Sequence, residues 1–126
     1  KLKDIQVIKE YSRGICDVAV DKEKMKIAFL NIIVNAIEAM EGEGGKLVIK
    51  TYSRNEKCFI EIRDNGSGMD EEALNKLFEP YYSRKNKGTG LGMTNTENII
   101  LSHKGSINVE SSLGEGTTFT ITLNFA

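Results

Sequence analysis

Residues 31–40 read NIIVNAIEAM. Ile32, Ile33, Val34, Ala36, Ile37 and Met40 are apolar, yet Asn31, Asn35 and Glu38 interrupt them at steps of four and three residues. On an α-helix such steps hold three side chains within an arc of about 60°. The stretch is therefore an apolar helix with a polar seam of two amides and a carboxylate. Asn35 offers an amide oxygen, a ligand type suited to hard cations such as Mg²⁺, which take few protein ligands beside water and phosphate oxygens. Core amides bonded to backbone carbonyls are the alternative, and a lone Asn would favour it. Three polar groups in one stripe favour a ligand-facing groove.

Outward from this helix the chain alternates cleanly. Asp21 is a candidate N-cap, with Lys24 where a capping box would have Glu, so a partial cap opens a helix over about 22–40. EGEGG at 41–45 ends it. Residues 46–54 and 57–64 read as a hairpin turning at Asn55-Glu56. Upstream, IQVIKEY at 5–11 reads as a strand and VAV at 18–20 as a short extended piece. Downstream, a short helix over about 70–77 starts near Asp70. Residues 79–90 hold the only proline, three basic residues and two glycines, which marks a loop. A helix over 91–103 and two strands, 106–112 and 117–125, linked by LGEG at 113–116, complete the order. No internal repeat or low-complexity segment interrupts it. The expected class is α+β: a two-layer sandwich, a mixed sheet with helices stacked on one face.

The 126 residues fit one domain, long enough to need no disulfide or metal for folding. A formal net charge of −1 weighs against nucleic acid or an anionic membrane as the main partner. The densest basic cluster is short: Arg84, Lys85 and Lys87. No apolar run approaches the roughly 20 residues of a membrane span, and no signal peptide is visible. Cys16 and Cys58 lack CxxC neighbours, and the single His cannot complete a zinc site with them. Their apolar surroundings suggest reduced core thiols in a cytosolic setting. The chain opens on Lys1 rather than Met and is expected to be part of something longer.

Two further motifs carry chemistry. In FIEIRDNGSGMD, 59–70, strand alternation puts Cys58, Ile60, Ile62 and Asp64 on one face, so Asp64 continues an inward apolar row. A carboxylate there needs a donor. Backbone N–H groups of the Asn65-Gly66 turn are one source; the exocyclic amine of a bound base is another, with Gly66 and Gly68 letting the backbone approach a flat ring. In KGTGLGM, 87–93, Gly88, Gly90 and Gly92 lead into a helix whose exposed N–H groups and dipole suit phosphate. Met93 stands where a Rossmann fingerprint needs a small residue, and no GxxxxGK[ST] occurs. A plain glycine hinge is the alternative.

In order and spacing these motifs resemble the ATP-binding catalytic domain of sensor histidine kinases, in the superfamily shared with DNA gyrase and the heat-shock chaperones. NIIVNAIEAM looks like the N box and DNGSGMD the G1 box. LFEPYYSRKNKGTGLGM resembles the F box, lid and G2 box, and GEGTTFTITL the closing strand pair. The resemblance covers essentially the whole chain. It implies the Bergerat fold, with about five largely antiparallel strands and three helices on one face, and ATP with Mg²⁺ as ligands. Asp64 would read the adenine amino group beside Gly66 and Gly68. Asn35 would hold the metal, and Asn31 would support the metal and phosphate shell. Lys85 matches a basic lid residue near the phosphates. Gly88, Thr89, Gly90, Leu91 and Gly92 would form the lid hinge and phosphate cradle, Phe78 would anchor the lid, and Thr118 would add a contact from the closing strands.

The ATPase branches of that superfamily carry Glu as general base where Asn31 stands. An amide cannot accept that proton, so the resemblance implies phosphoryl transfer, with Asn31, Asn35 and Lys85 as the catalytic set, rather than fast hydrolysis. The implied acceptor is a histidine on a separate dimerisation domain, upstream of Lys1. The resemblance also implies a response regulator downstream, a monomeric isolated domain, and a parent that is a cytoplasmic or membrane-anchored homodimer. A serine kinase of the same fold and a non-catalytic nucleotide sensor are the alternatives. Glu38 stands where many members have Lys, and TNTEN at 94–98 is more polar than the helix after the lid usually is. His103 lies in SHKGSI at a helix end and reads as a structural corner favoured by the helix dipole.

Overall fold

The computed structural model describes residues 4–12, 17–42, 44–80 and 92–126. Its elements run β1 (Ile5–Tyr11), α1 (Lys22–Ala39), β2 (Gly45–Arg54), β3 (Lys57–Asp64), α2 (Glu71–Lys76), α3 (Gly92–Ser102), β4 (Ser106–Ser112) and β5 (Gly116–Asn124). Each expected element is present, with ends shifted by a residue or two.

One five-stranded sheet has the order β1-β2-β3-β5-β4. Only β1 and β2 are parallel, with Ile5 opposite Gly45. That pairing needs a crossover, and α1 supplies it. The other neighbours are antiparallel. Asn55 (φ 54°) and Glu56 (φ 61°) are both left-handed, as a tight two-residue hairpin turn requires.

The core lies between the sheet and α1 and α3. Met25, Ala28, Ile32, Ala36 and Ala39 of α1 are buried, and the first four meet Leu47, Ile62, Phe119, Ile121 and Leu123 of the sheet. Ile32 is fully covered, and truncating it to Ala should cost about 2–5 kcal/mol. Asp21 caps α1 by accepting from the Lys24 N–H at 3.1 Å. Asp70 does the same for α2, accepting from Ala73 at 2.8 Å.

α3 packs better than its polar sequence suggests. Thr96, Ile99 and Ile100 are buried, and the Thr96 hydroxyl donates to the Gly92 carbonyl at 2.8 Å, so its polar atom is satisfied inside the helix pair. The expectation for the cysteines is corrected. Cys58 is buried on β3 and disulfide-bonded, not a free thiol. The other cysteine of the chain, Cys16, lies outside the described residues.

Candidate functional site

The end of β3 delivers Asp64 to the interior, where it is 3% exposed. Its Oδ1 accepts from the Gly66 N–H at 2.8 Å, and its Oδ2 is also buried. The turn donor therefore holds one oxygen of the carboxylate. Asn65 ties the same turn to the start of β2: its Nδ2 donates to the Gly44 carbonyl at 3.0 Å, and its Oδ1 accepts from the Lys46 N–H at 2.8 Å.

Gly66 and Gly68 are required by the protein's own backbone. A Cβ on Gly66 would stand 2.5 Å from the Ala39 carbonyl oxygen, and one on Gly68 (φ 72°) 2.0 Å from that of Ser112. The Ser67 N–H donates to the Ala39 carbonyl at 3.0 Å, and the Gly114 N–H to the Ser67 carbonyl at 2.8 Å. The loop after Asp64 is thus clamped between the end of α1 and the β4–β5 turn. Ser111 completes the clamp: its hydroxyl accepts from the Met69 N–H at 2.8 Å and donates to the Gly116 carbonyl at 3.1 Å. Ser111 has no local sequence signal, because its partners are all brought by the fold.

Thr118 pairs with Arg63 across β3–β5, on the side of the sheet away from the helices. Its neighbour Thr117 pairs with Asp64 and is 3% exposed. The threonine on the site side is therefore Thr117, whose hydroxyl lies 2.8 Å from that of Ser111. The sequence reading named Thr118; the register with Asp64 sets the inward parity of β5 and puts Thr117, not Thr118, on the Asp64 face.

On α1, Asn31 and Asn35 are half-buried and Glu38 is exposed. The Asn31 Nδ2 donates to the Gly92 carbonyl and to the Thr96 hydroxyl, both at 3.1 Å. With its nitrogen engaged, Asn31 has an oriented amide oxygen, which can accept but not abstract a proton. Gly92 thus joins the site at the start of α3. Ile27, Asn31, Gly92, Thr94, Asn95 and Asn98 line a cleft of about 470 Å³ between α1 and α3. A second cleft of about 360 Å³ borders Ala39, Asn65 and Gly66. Asn95 and Asn98 explain part of the polar TNTEN run: they face a cleft, not the core. Thr94 donates to the Phe78 carbonyl at 2.9 Å, and Phe78 packs against the core, so the F-box end is fixed to α3. Lys85, Gly88, Thr89, Gly90 and Leu91 lie outside the described residues.

His103 stands apart. Its Nε2 accepts from the Asp21 N–H at 3.0 Å, and its Nδ1 faces the Ile99 carbonyl at 2.7 Å. These two contacts select the neutral Nδ1–H tautomer. The ring ties the start of α1 to the end of α3, a structural corner as the sequence reading expects.

With the geometry in place, comparison with known proteins defines the class. The chain belongs to the family described as Histidine kinase-, DNA gyrase B-, and HSP90-like ATPase, whose model matches residues 20–126. It is similar to Sporulation kinase B of Bacillus subtilis (strain 168), 45% identical over 103 residues, covering 82% of this chain and 24% of that protein. It is also similar to the signal transduction histidine-protein kinase AtoS of Escherichia coli (strain K12), 38% identical over 121 residues, covering 94% of this chain and 20% of that protein. The catalytic domain of histidine kinase ThkA superposes with a TM-score of 0.84 at 30% identity, covering 96% of this chain and 79% of that one. The mycobacterial sensor histidine kinase MprB shares the fold, with a TM-score of 0.85 at 24% identity over 97% of this chain and 84% of that one. The chain spans only a fifth to a quarter of the length of these curated relatives. Fold and family are those of a histidine kinase catalytic domain, and nucleotide binding goes with them. Among the described residues no helix is long and apolar enough to cross a membrane.

Proposed function

We propose that this domain binds ATP with Mg²⁺ and directs the γ-phosphoryl group to a histidine on a dimerisation domain of the same parent protein, which passes it to a response regulator. The observation that carries the reading is Asp64: a carboxylate 3% exposed at the end of β3, with one oxygen already oriented by Gly66. A fixed, buried acceptor suits an exocyclic amine better than solvent.

Around it each residue has a task. Asp64 accepts from the base, and Thr117 extends the same wall. Asn31, locked by Gly92 and Thr96, turns its amide oxygen to the metal and phosphate shell. Lys85 and the glycines from Gly88 to Gly92 meet the phosphates. Among the described residues no group of three His, Cys, Asp or Glu side chains stands together, while Asn35 offers a half-buried amide oxygen. That donor set fits a hard cation completed by water and phosphate oxygens, with Asn35 as its protein ligand. When bound, Mg²⁺ neutralises charge developing on the transferred group. Transfer is favoured over hydrolysis because Asn31 cannot act as a base for water.

Calorimetric titration with a non-hydrolysable ATP analogue, with Mg²⁺ and with EDTA, tests this on wild type and Asp64→Asn. Saturable binding that tightens with Mg²⁺ and weakens about tenfold or more in the variant is expected. Unchanged affinity in a folded Asp64→Asn protein would remove Asp64 from base recognition.

A further inference from the structure

We infer that Ser111 is a positioning residue for base selectivity. It takes the Thr117 hydroxyl proton and so leaves Thr117, beside Asp64, as an acceptor; the pair selects a purine with a 6-amino group over one with a 6-oxo group. The inference rests on the function proposed above and deepens it at the base-binding end. Three strands place the residues in one row. Asp64 of β3 pairs with Thr117 of β5, and Thr117 pairs with Ser111 of β4. Residues opposite each other across a strand pair share a face, with Cβ atoms about 4.5–5.5 Å apart. Asp64 and Thr117 are each 3% exposed, so their polar atoms are largely withdrawn from water.

The hydrogen bonds around Ser111 fix the direction of each proton. The Met69 N–H donates to Ser111 Oγ at 2.8 Å. The Gly116 carbonyl, 3.1 Å away, can only accept, so it takes the single Ser111 proton. The Thr117 hydroxyl lies 2.8 Å from Ser111 Oγ. With the Ser111 proton engaged at Gly116, Thr117 must be the donor in that contact. Its own proton then points away from Asp64, and it offers lone pairs on the Asp64 side. A carboxylate also only accepts. Two acceptors each about 2.9 Å from one nitrogen, along N–H bonds about 120° apart, stand about 5 Å from each other. A cross-strand pair has that spacing. An exocyclic amine satisfies both acceptors at once. A 6-oxo group sets its lone pairs against theirs and leaves both unpaired.

The test titrates the chain by calorimetry with ADP and with IDP, which carry a 6-amino and a 6-oxo purine, each with Mg²⁺. Wild type should prefer ADP about a hundredfold or more. In Ser111→Ala the freed Thr117 hydroxyl can turn its proton toward an oxo group, so the ADP-to-IDP preference should fall about fivefold or more. Ser111→Thr keeps a hydroxyl and should hold the preference within about twofold of wild type. A merely structural loss of the Met69 anchor would weaken both nucleotides alike; an unchanged preference in Ser111→Ala therefore overturns the inference. Neutron diffraction from deuterated wild-type crystals needs no variant to fold. It should show the Thr117 deuteron directed at Ser111 Oγ and the Ser111 deuteron at the Gly116 carbonyl. A Ser111 deuteron directed at Thr117 overturns the inference. A folded wild type that binds neither nucleotide overturns the proposed function, and this inference falls with it, whereas ADP binding with an unchanged preference strikes the inference alone.

Discussion

The backbone of Asp64 and that of Gly116 touch: a Cβ added at Gly116 would stand 2.1 Å from the Asp64 carbonyl oxygen. This buried carboxylate is thus positioned from two sides, by the Gly66 N–H through its side chain and by Gly116 through its main chain. The glycine of the closing strand pair thus acts on Asp64 through the main chain.

Gly116→Ala should therefore destabilise the fold by more than about 3 kcal/mol, because a left-handed backbone (φ 95°) and a backbone clash act together. Gly114→Ala is the control. Its φ is 80°, but nothing lies within 4 Å of an added Cβ, so only conformational strain of about 1–2 kcal/mol remains. Urea unfolding of the two variants should separate them; equal losses would show that the contact with Asp64 is not what selects glycine.

The two adjacent threonines of β5 should behave differently. Thr117→Val removes a buried hydroxyl on the Asp64 side and should weaken analogue binding about tenfold. Thr118→Val alters the face paired with Arg63 and should leave affinity within about twofold. Calorimetry on both variants decides, and a larger effect at Thr118 would contradict the register.

On the open side of the sheet, the Tyr52 hydroxyl donates to Glu61 Oε2 at 2.8 Å, and its ring stacks on Phe59 with centroids 4.9 Å apart. The hydrogen bond to Glu61, followed by burial, raises the Tyr52 pKa above its ordinary value of 10.0. The folded state then retains this proton where the unfolded chain has lost it. The associated stability is complete below pH about 10 and falls as pH rises through the folded pKa. Unfolding measured from pH 8 to 11 should show that decline in wild type. Tyr52→Phe should lose about 0.5–1 kcal/mol at pH 8, since solvent screens a half-buried pair, and should show a shallower alkaline fall.

Local patterns made most of the fold legible. The apolar periodicity of α1, the turn chemistry at Asn55-Glu56 and the inward parity of Asp64 each depend on neighbours in sequence. What sequence did not reveal depends on partners far along the chain. Gly66 and Gly68 read in sequence as glycines that let the backbone approach a ligand; the fold adds that Ala39 and Ser112 stand where a side chain at either position would go. TNTEN reads as a poor core helix until Asn31 arrives to share Thr96 and Gly92. The choice between Thr117 and Thr118 needed the register with β3, and the bonded state of Cys58 needed the tertiary fold. The site's type was visible in motif order; its mechanical supports were not.

Asp21 meets His103 where α1 begins and α3 ends; Asn31 meets Gly92 about ten residues along α1, where α3 starts. Two antiparallel rods pinned at both ends of their overlap cannot scissor or roll against each other. The groove between them is assembled once, when the chain folds, and is not rebuilt at each encounter. The entropy of ordering α1 against α3 is thereby charged to folding.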